Sequence, residues 1–183
     1  NCGAVTYTYS VVDTAVLCGK TSKTTVRFRA TDECGNHISK EATFTITDTT
    51  APDFITEPED VTVECDGNGN INDLNAWINS YGGATAQDLC STEVKWSHNF
   101  KGLKTTCGGA AAAEVIFTAT DACGNSSSRT ATFRIVDTTA PEFVSDLPAK
   151  EIFIKCEELK DAEVLKATDN CGSATVTVSD EVV

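Results

Sequence analysis

FRATDECGNHISKEATFTITDTTAPDF, from Phe28 to Phe54, returns 89 residues later as FTATDACGNSSSRTATFRIVDTTAPEF, from Phe117 to Phe143. Eighteen of the 27 aligned positions are identical, and the register extends upstream to Cys18, which aligns with Cys107. Self-similarity at a fixed long period is the signature of a tandem array. The sequence therefore predicts repeats of one structural unit of about 89 residues.

The 183 residues hold one complete unit and two partial ones. Residues 51–139 form the complete unit, residues 1–50 lack the beginning of a unit, and residues 140–183 lack its end. The chain starts at Asn1 and has no methionine, so we expect it to be a slice of a longer mature protein. The units meet at DTTAP segments, where proline favours extended backbone and no Gly/Ser-rich spacer intervenes. Such short joints predict limited bending between neighbouring units.

Apolar and polar residues alternate along most of the unit. Short Thr- and Val-rich strands separated by Gly, Asn and Asp turns are typical of antiparallel sheets with one buried face. About seven such strands in some 90 residues match the size of an immunoglobulin-like domain. The predicted fold class is all-β, with tandem immunoglobulin-like antiparallel sandwiches in a linear array. The strand positions are Val5, Tyr7 and Tyr9; Val26, Phe28 and Ala30; Ala42, Phe44 and Ile46; Val61, Val63 and Cys65; Val94 and Trp96; Val115, Phe117 and Ala119; Ala131, Phe133 and Ile135; Ile152, Ile154 and Cys156; and Ala174, Val176 and Val178.

One short helix interrupts the strands of the middle unit, near residues 73–81. Four apolar residues spaced at i, i+3, i+4 and i+7 form a single stripe, which we expect to pack on the sandwich. Asn72 is the predicted N-cap, and Gly82 with Gly83 is the predicted stop. The stripe consists of Leu74, Trp77, Ile78 and Tyr81.

Nine cysteines, no CxxC pair and only two histidines favour disulfides in an oxidising compartment over zinc sites. The middle unit has four cysteines, so three pairings are open. Pairing in sequence order is favoured because it strands only Cys2, whose partner would lie upstream of Asn1. Pairing first with last would strand Cys34, Cys156 and Cys171. The favoured bridges are Cys18–Cys34, Cys65–Cys90, Cys107–Cys123 and Cys156–Cys171.

The net charge of −13 and the isoelectric point near 4.4 describe an acidic surface. Nucleic-acid binding needs clustered Lys and Arg, so we expect no nucleic-acid partner. No apolar run approaches the ~20 residues that cross a bilayer, so we expect no membrane span in this segment. An acidic surface suits cations, although solubility alone also explains it.

Four repeated aspartates are the first candidate calcium ligands. Asp48 and Asp137 stand where one unit meets the next, and Asp32 and Asp121 stand in the ATDxCGN turn. If the strand ends point toward the joint, the carboxylates converge there, and calcium prefers such oxygen ligands. The alternative is that each side chain accepts hydrogen bonds within its own turn.

The loop before the helix is the second candidate calcium site. Asp66, Asn68 and Asn70 alternate like the first ligands of an EF-hand loop. The sixth and twelfth positions depart from that pattern, so Asp73 would have to supply the missing acid. The alternative is a glycine-rich turn followed by a helix cap.

Catalysis finds no support in the sequence. His37 and His98 occupy non-equivalent positions and have no repeated nucleophile or acid beside them. The cysteines are expected in disulfides, and no phosphate-binding or hydrolase motif occurs. We therefore expect that the chain is not an enzyme, that it has no catalytic residue, and that it has no cofactor apart from calcium.

The strings ATDxCGN, ATFxIxDTTAP, VxVEC and ATDNCG resemble the tandem immunoglobulin-like repeats of very large secreted surface proteins of the Bacteroidetes. These proteins include gliding-motility adhesins of the SprB type, and more distant similarity extends to hyalin repeats. The stretch DGNGNINDLNAWINSYGGATAQDLC resembles a variant of such repeats. The resemblance implies type IX secretion and display on the exterior of the outer membrane.

The function implied by this resemblance is a structural and adhesive stalk for surface attachment or gliding motility. Parts outside this segment would contact a surface or polysaccharide, and neighbouring repeats would be the other partners. The alternatives are spacer repeats of a polysaccharide-degrading enzyme and carbohydrate-binding repeats. The latter need exposed aromatic residues, whereas we expect Trp77 and Trp96 to be buried. The family also implies O-glycosylation at Asp-Thr sequences, here at Thr14, Thr49 and Thr138.

Overall fold

The computed structural model describes residues 3–147, 153, 155 and 165–177. Within them the chain forms twelve strands and one α-helix, which confirms the all-β fold class. The helix α1 spans Ile71–Asn79, and a short 3-10 turn follows at Tyr81–Gly83. The strands are β1 (Val5–Val16), β2 (Ser22–Asp32), β3 (His37–Ile46), β4 (Asp53–Thr56), β5 (Val61–Glu64), β6 (Thr85–Gln87), β7 (Lys95–His98), β8 (Lys104–Thr105), β9 (Ala111–Thr120), β10 (Ser126–Val136), β11 (Glu142–Phe143) and β12 (Ala167–Thr168).

The first repeat forms a three-stranded antiparallel sheet in the order β1-β2-β3. Across it Tyr9 lies opposite Phe28, which lies opposite Lys40. The large apolar side chains of this sheet, among them Tyr7, Tyr9 and Phe44, are exposed. This sheet therefore presents an open apolar surface in the described structure.

The sheet of the middle repeat has the order β5-β10-β9-β7, and β8 pairs with a separate part of β9. β7 and β8 run antiparallel to β9, but β5 runs parallel to β10, with Val61 opposite Phe133. The prediction of a purely antiparallel sandwich is therefore wrong at this edge. Four strands and the helix separate β5 from β10 along the chain, so no hairpin turn fixes an antiparallel pairing.

The core of the middle repeat lies on one face of β9 and β10. Val115 and Phe117 in β9, and Phe133 and Ile135 in β10, are almost completely removed from water, whereas Arg134 between the last two is exposed. Burial of each such side chain contributes about 1.5–3 kcal/mol. The period-two pattern therefore predicted these core positions correctly.

The helix begins two residues earlier than predicted. Its N-cap is Asn70, with φ of 50°, and not Asn72. The side chain of Asn70 does not cap the helix because it bonds the loop, donating to Glu64 O at 2.9 Å and accepting from the Asp66 N–H at 3.3 Å. The helix also ends two residues before the predicted end at Tyr81: its last residue is Asn79 and its C-cap is Ser80. The chain then turns at Gly82, with φ of 68°, and at the following glycine.

The apolar stripe of α1 packs on the sheet as predicted. Leu74, Trp77 and Ile78 are buried, and the Trp77 ring centroid lies 5.6 Å from that of Phe133. The Trp77 indole N–H donates to the Glu59 carbonyl at 2.8 Å. These three stripe residues therefore belong to the protein interior, whereas the fourth, Tyr81, is half-buried and lies after the helix in the 3-10 turn.

The chain divides into two compact units, and each contains segments of two sequence repeats. The first comprises Asn1–Pro58, Gly83–Asn99 and Ile116–Thr130. The second comprises Glu59–Gly82, Phe100–Val115 and Ala131–Val183. The boundary at residue 50, here termed the first joint, thus lies inside the first unit, and the boundary at residue 139, the second joint, inside the second. The repeats 1–50, 51–139 and 140–183 remain a prediction from the sequence.

The two disulfides formed among the described residues both join different repeats. Cys18 of the first repeat bonds Cys123 of the middle one, with 5.0 Å between their Cα atoms, inside the first unit. Cys65 of the middle repeat bonds Cys171 of the third, with 5.3 Å between their Cα atoms, inside the second unit. Disulfides are present as expected, but the pairings Cys18–Cys34, Cys65–Cys90, Cys107–Cys123 and Cys156–Cys171 are wrong.

Strand length explains why two of the four predicted pairings fail. Cys18 precedes β2 and Cys34 follows it, so a fully extended strand of 11 residues holds them about 36 Å apart. Disulfide Cα atoms are usually about 4.4–6.8 Å apart. Cys107 and Cys123 flank the ten residues of β9 in the same way. A strand therefore forbids each of these bridges.

Several predicted features fall outside the described residues. They include Cys2, Cys156, Val178 and the strand positions Ile152 and Ile154. Ala174 and Val176 are described but belong to no strand, and in this region β12 pairs with β11. Of the residues that the structure describes, none form a helix that is long and apolar enough to cross a membrane.

Candidate metal centre

Three turns bring Asp48, Asp88 and Asp121 together inside the first compact unit. One carboxylate oxygen from each lies within 4.8 Å of the others. Asp48 follows β3, Asp88 follows β6 and Asp121 follows β9. No other group of three acidic, histidine or cysteine ligand atoms converges in this way among the residues with described positions.

Asp121 is held by its own turn. Its Oδ1 accepts from the backbone N–H of Cys123 at 2.8 Å and of Asn125 at 2.9 Å, and its Oδ2 accepts from Asn125 Nδ2 at 2.8 Å. Only 3% of its surface is exposed. Burial favours the neutral acid, but the bonds from Asn125 and Cys123 outweigh it and lower the pKa of Asp121. The group is therefore an ionised, immobilised carboxylate.

Asp88 and Asp48 each use one oxygen in a turn. Asp88 Oδ1 accepts from the N–H of Cys90 at 2.8 Å and of Ser91 at 2.7 Å. Asp48 Oδ1 accepts from the Thr50 N–H at 3.1 Å. The turn interpretation offered for the junction aspartates thus holds for Asp48 and Asp121, and Asp88, which was not predicted, forms the same kind of contact. It leaves Asp48 Oδ2, which is buried and has no hydrogen-bond donor among the described residues.

No described cation neutralises this cluster, here termed the aspartate triad. The ion pairs formed within the described chain lie elsewhere, at Arg27–Glu41 and Arg129–Glu57. Lys20 donates to the carbonyl of Leu89, the residue after Asp88, and not to a carboxylate. Three carboxylates at this spacing repel one another in a partly buried setting. A bound cation would remove that repulsion.

The ligand chemistry fits a hard divalent cation. Calcium takes six to eight oxygen ligands, and here three carboxylates converge. Water would complete the shell. The absence of His and Cys ligands from the triad disfavours zinc.

The structure places only two of the four predicted junction aspartates in the triad. Asp48 and Asp121 meet there, whereas Asp32 does not join them. Asp32 precedes β3 and Asp48 follows it, so the ten residues of β3 separate them by about 33 Å. Asp137 belongs to the second compact unit, where its carboxylate lies beside Gly108.

Asp32 forms the same turn as its repeat equivalent. The Asn36 side chain donates to its Oδ2 at 2.9 Å and is the main cause of the lowered pKa of Asp32. Within the described residues this carboxylate has no neighbouring acids of the kind that surround Asp121.

The loop before α1 is bonded to itself. Asp66 Oδ1 accepts from the N–H of Asn70 at 2.9 Å and of Asn68 at 2.8 Å, and these bonds lower the pKa of Asp66. Asn70 Nδ2 donates to Asp73 Oδ2 at 3.1 Å. The side chains proposed as EF-hand-like ligands thus act as turn and loop contacts.

Sequence reasoning missed Asp88, although a signal for it exists. Four of the cysteines that the structure describes follow an aspartate by two residues. The four occurrences are Asp32-Glu-Cys34, Asp88-Leu-Cys90, Asp121-Ala-Cys123 and Asp169-Asn-Cys171. Each aspartate accepts from the cysteine N–H, so the Asp-x-Cys sequence marks one kind of turn. The recurrence predicts the turn but not which turns meet.

The three threonines implied as glycosylation sites differ in their contacts. Thr14 and Thr49 are exposed. The Thr138 N–H donates to Glu64 Oε1 at 2.9 Å and its hydroxyl to Oε2 at 2.8 Å, and these bonds lower the pKa of Glu64. The hydroxyl of Thr138 is therefore engaged at the second joint, whereas glycosylation at all three threonines remains a prediction.

No protein-family model matches this chain, and no curated protein sequence matches it significantly.

Proposed function

We propose that this chain is a segment of the structural stalk of a large secreted adhesin. In this proposal tandem immunoglobulin-like repeats carry mechanical load between a cell surface and an adhesive region elsewhere in the protein. The resemblance of the repeat strings to Bacteroidetes surface adhesins supports the proposal, and so does the requirement of disulfides for an oxidising compartment.

The observation that carries the proposal is that each disulfide joins neighbouring repeats. Cys18–Cys123 spans the first joint and Cys65–Cys171 spans the second. A bond within one repeat stabilises that repeat alone, whereas a bond between repeats keeps them attached even after local unfolding. Covalent joints of this kind suit a protein that is pulled from its ends.

Packing within the first compact unit supports the sandwich part of the proposal. β4 and β6 form an antiparallel pair separate from the sheet that contains β7. Phe54 of β4 meets Trp96 of β7 edge to face, with 5.5 Å between ring centroids. Arg129 lies over Phe54 at 4.7 Å and pairs with Glu57 at 2.9 Å. A side-chain contact between strands of two separate sheets is the kind of packing on which an immunoglobulin-like sandwich is built.

Pulling the chain from its ends tests the load-bearing role. The loops closed by the two disulfides overlap, and each removes about 105 residues from the loaded path. The two paths through the bonds are nearly equal in length, so either bond alone limits the extension. In single-molecule stretching we expect a gain of about 37 nm, at roughly 3.5 Å per residue, only when both bonds are absent.

Single and double serine variants provide matched controls for this measurement. Cys18→Ser or Cys65→Ser alone should leave the final extension unchanged, and the double variant should show the full gain without reductant. Equal extension of the oxidised wild type and the double variant would refute a covalently protected stalk.

Calcium at the aspartate triad is the second part of the proposal. The buried oxygen of Asp48 without a donor supports it, because such a group requires a compensating partner. At a concentration 100-fold above its dissociation constant, calcium should stabilise the fold by about 2.7 kcal/mol. Thermal unfolding with calcium and with chelator measures this gain.

The stability of Asp48→Asn relative to the wild type should depend on whether calcium is present. With chelator the variant should be at least as stable as the wild type, because one of three repelling charges is removed. With calcium it should be less stable, because a ligand is lost. Asp169→Asn is the control, since Asp169 accepts from the Cys171 N–H in the same kind of turn but lies outside the triad. Equal calcium responses of wild type and Asp48→Asn would reject the site.

A further inference from the structure

The repeat assigns each cysteine a position that can be followed from unit to unit. In the middle repeat, positions one to four are Cys65, Cys90, Cys107 and Cys123. The 89-residue register makes Cys18 and Cys34 positions three and four of the first repeat. Cys171 is position two of the third repeat by cysteine order, because the third repeat lacks the helical insert and its first two cysteines are only 15 residues apart.

The two disulfides are then of two different kinds. Cys18–Cys123 joins position three of one repeat to position four of the next. Cys65–Cys171 joins position one of one repeat to position two of the next. The first joint shows one kind and the second joint the other. At each joint the other kind of disulfide would need one cysteine that lies outside residues 1–183.

We propose that every joint between these repeats carries both kinds of disulfide, so that Cys90 and Cys107 form further bridges to neighbouring copies of the repeat. Cys90 bonds position one of the repeat that contains residues 1–50. Cys107 bonds position four of the repeat that contains residues 140–183. The inference rests on the repeat array of the proposed function but not on its mechanical role.

The turns around the free thiols match those around the bonded ones. The Cys90 N–H donates to Asp88 Oδ1 at 2.8 Å, and the Cys171 N–H donates to Asp169 Oδ1 at 2.7 Å. At position three, the carbonyl of Cys18 accepts from the Thr21 N–H at 2.9 Å, and the carbonyl of Cys107 accepts from the Ala110 N–H at 2.8 Å. Each free cysteine therefore has the local backbone geometry of a bonded equivalent.

Contacts between positions two and three also recur at the two joints. At the first joint the Lys20 N–H donates to the Cys90 carbonyl at 2.7 Å, and Gly19 is so close to that carbonyl that a Cβ would collide with it. At the second joint Gly109 is equally close to the Cys171 carbonyl. The turn after position three thus packs on position two of the next repeat at both joints. The hydrogen bond itself does not recur, since Gly109, the repeat equivalent of Lys20, donates to the Cys107 carbonyl at 2.9 Å. The packing that the two joints share predicts the same bonds at both.

Each additional bridge is a two-electron oxidation. Two thiols lose two protons and two electrons as the S–S bond forms, and a disulfide such as oxidised glutathione, or a disulfide-carrying enzyme, accepts them and is reduced to two thiols. Cys90 is half-buried and Cys107 exposed, so thiol–disulfide exchange has access to both.

An extended chain tests the proposal. A copy of residues 51–88 is fused before Asn1, so that the added Asp88 copy precedes Asn1-Cys2 as Asp169 precedes Asn170-Cys171. The protein is refolded with oxidised and reduced glutathione, and its disulfides are mapped by peptide mass spectrometry. We expect the added copy of Cys65 to bond Cys90, and labelling of native Cys90 by iodoacetamide to fall from complete to background.

The matched control replaces the added cysteine by serine, which should restore the labelling of Cys90. If the added cysteine bonds Cys2 of its own repeat, or stays free while Cys18–Cys123 forms, the inference is overturned and the stalk proposal is not. If Cys18–Cys123 is also absent, the repeats are not bonded at the first joint, and both the inference of further disulfides and the stalk proposal fail. Single-molecule stretching of the chain without the added copy tests the mechanical role separately.

Discussion

Replacement of Cys18 by serine is expected to lower the free energy of unfolding by about 2–5 kcal/mol. The bond to Cys123 closes a loop with a sequence separation of 105 residues. Without this bond the unfolded chain has more conformational entropy. Folding then costs more free energy, and the folded state is less stable. Urea unfolding monitored by fluorescence measures the loss.

Cys34→Ser is the matched control for this measurement. Cys34 has an exposed free thiol in the chain, so its replacement should change the free energy of unfolding by less than about 0.5 kcal/mol. Under a bridge within the first repeat, Cys18→Ser and Cys34→Ser would remove the same bond and cost the same. Equal losses for the two variants would therefore restore the pairing that the structure excludes.

Phe133→Ala should cost about 3–5 kcal/mol, whereas Phe44→Ala should cost less than about 1 kcal/mol. The two residues are repeat equivalents in the string ATFxI. Phe133 has no exposed surface and packs against Trp77, whereas 67% of the surface of Phe44 is exposed. A cavity forms only where neighbours surround the deleted ring. Urea unfolding of both variants gives the comparison directly.

Phe117 and Phe28 form a second equivalent pair that serves as a control for position in the strand. Phe117 is fully buried and Phe28 half-exposed. The same ordering of losses is therefore expected, large for Phe117→Ala and small for Phe28→Ala. Losses of similar size within either pair would mean that burial in the middle repeat does not set the stability.

The strands and the helix were largely predictable because their signals are local. The period-two alternation identified β1, β2, β3, β5, β7, β9 and β10, and the stripe around Trp77 identified α1. The short strands β4, β6, β8, β11 and β12 have too few residues for a period to be seen. The parallel pairing of β5 with β10 was missed because it depends on contacts between residues about 72 apart in the chain, such as Val61 and Phe133.

The candidate site was only half predictable. The repeat directed attention to Asp48 and Asp121 because they stand in repeated turns. It could not show that Asp48 of one repeat meets Asp88 and Asp121 of the next, or that Asp32 remains apart. The disulfide error has a clearer lesson. Cys18 and Cys34 flank a strand that the alternation itself predicted, and the length of that strand already forbids their bond.

The 89-residue period, the all-β class, the alternating strand positions and the Asp-x-Cys turns follow from the sequence alone, because each alternation and turn depends on residues close together in the chain. The partners of the cysteines and aspartates were decided only by the tertiary structure. A strand of ten or eleven residues carries its two ends into different surroundings. Consecutive cysteines, or consecutive repeated aspartates, at the two ends of one strand are therefore far apart. Their partners come from strand ends of the adjacent repeat.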